Sequence, residues 1–483
     1  MVQRIVDFAL REKWLMLSLG IALLVWGIIS FHRLPVEAYP DVAPPWVQVI
    51  TQWPGHAAEE VEQQITVPIE IEMNGIAHMV DLRSQSLFGL SVVTMIFTDN
   101  SDDLLNREQV LERLSGVVLP ANVQPMLGPD YSPVGQIYWY TLESTNPRYD
   151  LMQLKTLQDW VLERQFKSVP GVVDVSSFGG LTRQYQVLIN PEQLINYDLT
   201  LSQVEQVLAA NNTNAGGSFV EHGQQAFNVR AVGLMQNTQD IAAAVLKVQN
   251  GTPVRVRDVG EVIQGHAIRL GQIGKTVRNP DGTIVDDNDV VEGIVLLRKG
   301  AQTDSTLRGI EEKVTELNRH VLPPGVKIVP YLDRGDLIQY TTDTVLRNLT
   351  DGFLLVTVLL FFFLGNIRSA VIVATTIPFS LLFAATCLDL SHIPANLLSL
   401  GALDFGMVVD GTVVMVENIL RLISLREWKH KNIGEIIYWA AHEVQRPVFY
   451  AILIIITAYL PIFTLQGVAG KLFHPMAWTV ALR

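Results

Sequence analysis

Three carboxylates stand where an apolar setting makes them costly. Residues Leu397–Leu422 read LLSLGALDFGMVVDGTVVMVENILRL and contain Asp404, Asp410 and Glu417. As a helix the run is about 26 residues and ~39 Å long, enough to cross a bilayer. On an insertion scale each mid-bilayer acid costs roughly 2.5–3.5 kcal/mol, least for one near an end, so three together point to an ion or proton pathway. Asp410 and Glu417 are seven residues apart and share one helix face, about 10 Å apart along the axis. Asp404 lies six residues before Asp410, about 120° around the helix. The three cannot close one compact metal cage on this helix, but they can line a path between it and its neighbours. Gly401, Gly406 and Gly411 in the same run would let other backbones pack closely. Glu417, near the helix end, is also placed to reach the headgroups. A carboxyl in low dielectric can cycle between neutral and charged forms near neutral pH. Proton relay and metal passage between the acids both remain open at this level.

The rest of the chain must hold that run in a membrane. The 483 residues are 49% hydrophobic and 17% charged, and mean hydropathy is +0.26. This composition describes a membrane protein with a large aqueous part. A net charge of −13, from 35 basic and 48 acidic residues, argues against nucleic-acid binding. The single cysteine, Cys387, falls in an apolar run and excludes a disulfide framework or a cysteine-based metal site.

Trp14–Phe31 is an apolar run behind a basic start carrying Arg4, Arg11 and Lys13. It is long for a signal peptide and no small-residue cleavage site follows, so it reads as an uncleaved first helix. Further runs occupy 349–364, 370–388 (with Pro378 inside) and 448–465. A sixth begins at Leu472, and the chain stops at Arg483 after about 11 residues, too few to span. The N-terminus, the 365–369 turn with Arg368 and the 421–447 stretch with Arg421, Arg426, Lys429, Lys431 and Arg446 are basic, whereas the 389–394 turn has no Lys or Arg. The positive-inside rule puts the basic segments in the cytoplasm and the long 32–348 segment on the other side. Ile433–Val444 is weakly amphipathic and is expected to lie along the membrane surface.

Within 32–348, strands are expected at Trp46–Gln52, Val80–Ser86 and Leu90–Thr98, with helices at His56–Asn74 and Asp102–Val118. Glu59, Glu60 and Glu62 favour the start of the first of these helices. The order recurs as strand Gln136–Glu143, helix Leu151–Ser168 and strand Val172–Phe178, then strand Val290–Leu297, helix Ser305–His320 and strand Val326–Leu332. Between the two parts lie Gln184–Ile189, the helix Ser202–Ala210 and a Gly-rich stretch at Gly216-Gly217. Two split β-α-β units with an inserted module fit this order. Gly274-Lys275-Thr276 suggests a phosphate loop, but Arg269 stands where that pattern needs glycine. Energy is then expected from elsewhere, namely an ion gradient. No GxSxG, HExxH or CxxC occurs, so the chain reads as no enzyme. Met73, His78 and Met79 are candidates for soft-metal handling, with packing of a helix end as the plainer account.

The stretches Asp404-Phe405-Gly406, Asp410-Gly411 and Val416-Glu417-Asn418 resemble the fourth-helix signature of the heavy-metal efflux branch of the resistance-nodulation-division (RND) transporters. The drug-efflux branch usually has two adjacent aspartates at the middle position. Here Gly411 follows Asp410, and Asp404 is an addition; both differences favour the metal branch.

The resemblance covers the chain but only the first half of the family's length, and implies an α+β membrane protein. Its parts are a polytopic transmembrane bundle and a periplasmic insert of split β-α-β (ferredoxin-like) porter subdomains, truncated in the sixth helix. The layout it implies is residues 1–31 as N-terminus and first transmembrane helix, 32–134 as first porter subdomain, and 135–180 with 290–335 as second. Residues 181–289 form an inserted docking module. Transmembrane helices follow at 349–364, 370–388 and 395–422, a cytoplasmic loop at 423–447, a fifth helix at 448–466 and an incomplete sixth at 470–483. The implied function is proton-driven export of heavy-metal cations from a bacterial inner membrane. Asp404, Asp410 and Glu417 would be the proton or cation relay. No cofactor is expected, the cargo being a monovalent or divalent heavy-metal cation. Implied partners are membrane lipid, protons and two further copies in a homotrimer, with a periplasmic adaptor and an outer-membrane channel. The alternatives are a pump of the same fold for organic amphiphiles or drugs, and a non-transporting fragment. A second, similar half with six more helices is part of the family pattern.

Overall fold

Two helices open the chain. The computed structural model describes residues 2–34, 36–37, 40–269, 271–391, 395–396, 405–425 and 432–482. Helix α1 (Val2–Arg11) is amphipathic, and α2 (Lys13–Arg33) is an apolar helix of membrane-crossing length.

A first α/β unit follows. Strand β1 (Trp46–Gln52) alternates buried and partly exposed residues, the period of a strand with one face on a core. It continues through a helix α3 over 58–73, β2 (Met79–Leu87), β3 (Leu90–Phe97), α4 (Asp103–Leu114) and a short β4 (Pro125–Leu127). The sheet order is β2-β3-β1-β4, antiparallel throughout. Val49, Ile65, Ile69, Met73, Val93 and Met95 are completely buried between sheet and helices. Each such side chain contributes roughly 1.5–3 kcal/mol of burial. Asp102 fixes the start of α4 by accepting from the Leu105 amide at 3.0 Å.

The second unit repeats the order with an interruption. It runs β5 (Gln136–Ser144), α5 over 151–167 and β6 (Val172–Gly179). The insertion then begins with β7 (Arg183–Ile189) and returns with β8 (Gly260–His266), which pair antiparallel. Between them lie helices Pro191–Asn196 and Leu201–Asn211, and a small core of Val204, Leu246, Val254, Val256 and Val259. A hairpin, Ala215–His222 with Gln225–Ala231, is exposed along its whole length. The unit resumes with β9 (Val291–Leu297), α6 (Thr303–Glu316) and β10 (Val326–Asp333), in sheet order β10-β5-β9-β6. Strand β9 is buried at all seven positions, as a central strand covered on both faces must be. Its Gly293 has a specific role, because a Cβ there would lie 2.3 Å from Cζ of Tyr140. The Tyr140 hydroxyl donates to Gln158 Oε1 at 2.9 Å, which satisfies a polar group inside the core.

After β10, the described residues form the helices α7 (Arg334–Leu364), α8 (Ile367–Leu390), α9 (Phe405–Ser424), α10 (Ile433–Tyr459) and α11 (Gly467–Leu482). Among the described residues, four helical stretches are long and apolar enough to cross a membrane: Lys13–Arg33, Arg334–Leu364, Ile367–Leu390 and Ile433–Thr464.

Two boundaries differ from the sequence expectation. Helix α7 starts at Arg334, not at 349. Asp333 ends β10 and caps the helix by accepting from the Gly335 amide at 2.7 Å, and Ile338, Thr341 and Val345 bury its first turns. The stretch 433–447, expected in a loop with a surface-lying segment, is instead the beginning of α10, which runs through Pro447 into the fifth apolar run. Asn432 caps it by accepting from the Gly434 amide at 3.3 Å, and Ile436, Ala440 and Ala441 are buried. This packing outweighs the one amide that Pro447 removes from the helical ladder.

Candidate functional site

Helix α9 packs between α8 and α10. Gly411 makes the second contact close: a Cβ there would sit 3.3 Å from Cγ1 of Val448 on α10. One residue earlier, Asp410 stands exposed at the edge of a cleft of about 620 Å³. The cleft walls are Gly411 to Val414 of α9, Val448, Ala451 and Ile452 of α10 and Val480 of α11. Glu417 is also exposed, two turns further along α9. Among the described residues neither carboxylate has a hydrogen-bond or ion-pair partner. Their spacing leaves about 10 Å between them along the axis. Asp404 and Gly401 lie outside the described residues. Gly406 lies on the first turn of α9.

Beside Glu417 is a polar clamp. Buried Asn418 donates through Nδ2 to the Ala440 carbonyl at 2.9 Å and to Glu443 Oε2 at 3.1 Å. Arg421 donates from Nε to Asn418 Oδ1 at 3.0 Å and from Nη2 to Glu443 Oε1 at 2.7 Å. The clamp fixes the α9–α10 register next to the acid pair. Glu443 escaped the sequence reading because it fell in the stretch taken for a loop; its signal was an acid amid apolar residues a short way past a basic cluster. On the same helix, His442 Nε2 lies 3.1 Å from Asp7 Oδ1 of α1.

In the aqueous units the other candidates separate. Met73 is fully buried in the first core, Met79 packs against that core, and His78 is exposed with a positive φ of 63°. Among the described residues, no group of three or more His, Cys, Asp or Glu is arranged to hold a metal ion. Lys275 is engaged on the second sheet, donating to Thr141 Oγ1 at 2.9 Å and Glu143 Oε1 at 2.6 Å. Arg269 forms a two-pronged ion pair with Asp289 where the insertion rejoins the second unit. Glu292 of β9 is buried beside the Tyr331 hydroxyl, and burial pushes its carboxyl above the usual range. Where the second unit meets the membrane helices, a cleft of about 520 Å³ is lined by His32, Asp304, Glu311, Asp336 and Asp343. Desolvation, then Asp333 and Asp336, raise the Glu311 carboxyl.

A bundle of apolar helices carrying two mixed α/β units and an acid-bearing internal helix defines a membrane protein with an RND transporter fold. The chain belongs to the AcrB/AcrD/AcrF family, whose sequence model matches residues 5–483. It is 40% identical over 498 residues to the cation efflux system protein CzcA of Alcaligenes sp. (strain CT14), a match covering 100% of this chain and 46% of the relative. It is 36% identical over 493 residues to the cation efflux system protein CusA of Escherichia coli (strain K12), covering 99% and 46%. Among solved structures, the X-ray crystal structure of a heavy metal efflux pump in crystal form I superposes with a TM-score of 0.88 at 41% identity, over 99% of this chain and 46% of the other. The chain spans about half the length of the curated relatives it matches.

Proposed function

We propose that this chain forms part of an inner-membrane RND transporter that exports heavy-metal cations at the expense of a proton gradient. The observation that carries the reading is the superposition of 99% of the chain on a heavy metal efflux pump at 41% identity. In this reading the two α/β units are split β-α-β, ferredoxin-like porter subdomains in the periplasm, and the insertion between β6 and β9 is the docking module. Asp410 and Glu417, with Asp404, form the proton or cation relay. Protonation of Asp410 changes the charge of α9 by one unit in low dielectric, and Gly411 and the Asn418 clamp pass the resulting shift to α10.

Assembly into a trimer with a periplasmic adaptor and an outer-membrane channel is supported by the hairpin 215–231. A two-stranded ribbon exposed on both faces, with Phe219 at 56% and Phe227 at 54% exposure, has no core of its own and gains stability when another chain covers it.

The test is metal tolerance in a host stripped of its own cation pumps, with the chain expressed in its natural genetic context. Raised tolerance to a monovalent or divalent heavy metal, abolished by a protonophore, is expected. Protection against organic amphiphiles alone would favour the drug-pump alternative, and protection against neither would refute transport.

A further inference from the structure

The loop joining β3 to α4 reads Asp99-Asn100-Ser101-Asp102-Asp103, and its three carboxylates point to three different elements. Asp99 Oδ1 lies 2.8 Å from Lys471 Nζ of α11, and the same ammonium donates to the Ala43 carbonyl at 2.7 Å. Asp102 caps α4. Asp103 meets Lys299 Nζ of the second unit at 2.8 Å, and the Lys299 amide donates to the Asp130 carbonyl at 3.2 Å. The loop itself is stiffened from within. Ser101 Oγ donates to the Thr98 carbonyl at 2.7 Å and accepts from Nδ2 of buried Asn106 at 2.8 Å.

Around Lys471 the structure is open. A cleft of about 1110 Å³ between the first unit and the start of α11 is lined by Asp99, Phe463, Lys471 and His474. A second, of about 530 Å³, is lined by Glu37, Lys299, Arg334, Lys471 and His474. Lys471 therefore stands as a strut between two spaces rather than in a packed interface. The two units are also held to the membrane helices differently, since the second passes from Asp333 of β10 into Arg334 of α7 with no linker.

We infer that the 99–103 loop is a junction at which α11, through Lys471, and the second unit, through Lys299, jointly set the placement of the first unit, with Lys471 a positioning residue for transport. The kinetic part rests on the transport reading given above; the structural part does not.

The test uses the chain in lipid nanodiscs on a Cys387→Ser background, with nitroxides at Asn100 and Gln466 reporting their separation by dipolar spectroscopy. Lys471→Met is expected to broaden that separation. Lys471→Arg, and the charge exchange Asp99→Lys with Lys471→Asp, are expected to keep it narrow. In cells, Lys471→Met is expected to lower kcat for cation export roughly three- to fivefold with KM unchanged, the scale of one partly exposed ion pair. The charge exchange should restore kcat to within about twofold of wild type. An unchanged separation in Lys471→Met, or a raised KM with intact kcat, overturns the inference. If the wild type exports no cation, the transport reading falls and the spectroscopic result still decides the junction.

Discussion

At the scale of single residues, Asp410 is the most exacting position. It carries a carboxylate at the edge of an apolar cleft, without a partner among the described residues. Asp410→Asn keeps the shape and removes the titrating proton. Export should fall by roughly 100-fold or more, the scale of losing a proton-transfer group. The melting temperature should stay level or rise, because an intramembrane charge is removed. Wild-type export at equal protein level would take α9 out of the mechanism.

Glu292 makes a different prediction. Its folded-state carboxyl is raised by burial. The native state then holds that proton more tightly than the unfolded chain, so the contribution to stability is full below the unfolded pKa of ~4.3 and is lost as pH rises through the folded one. Glu292→Gln should therefore melt progressively higher relative to wild type as pH is raised from 4.5 to 8. A constant offset across that range would show that ionisation of Glu292 is not the cause. The acids of α9 were legible in the sequence because charge in an apolar run is costly. The Asn418–Arg421–Glu443 clamp was not, because it joins two segments that no spacing relates.

Among the elements, strand and helix positions in the aqueous units followed from period. In the structure β1 and β3 alternate in burial, and Asp102 and Asp150 cap the starts of α4 and α5. Alternation could not mark the three-residue β4, or the ribbon 215–231, whose residues face solvent on both sides. Pro447 and the basic residues before it made the start of α10 look like a loop, whereas burial of Ala440 and Ala441 holds it helical. Gly293 shows what a strand glycine can mean. Gly293→Ala would drive a methyl group into the Tyr140 ring and should cost about 1–3 kcal/mol in thermal unfolding. Tyr140→Val in the same chain should make the alanine nearly neutral; two simply additive losses would place the cost elsewhere.

On the scale of the whole molecule, orientation is the testable property. A reporter active only in the periplasm should work when fused at Gly223 in the exposed ribbon and stay silent at Arg368 in the α7–α8 turn. The opposite pair of results would reverse the positive-inside argument. The direct passage of β10 into α7 has a mechanical consequence. Helix α7 has 31 residues and is roughly 46 Å long, so a tilt of about 5° moves its far end by roughly 4 Å. With no linker residue between strand and helix, a tilt of α7 is handed to the second sheet as by a lever, instead of being taken up in a loop. Angular movements too small to disturb helix packing in the membrane are thereby magnified into ångström-scale opening or closing of the aqueous clefts.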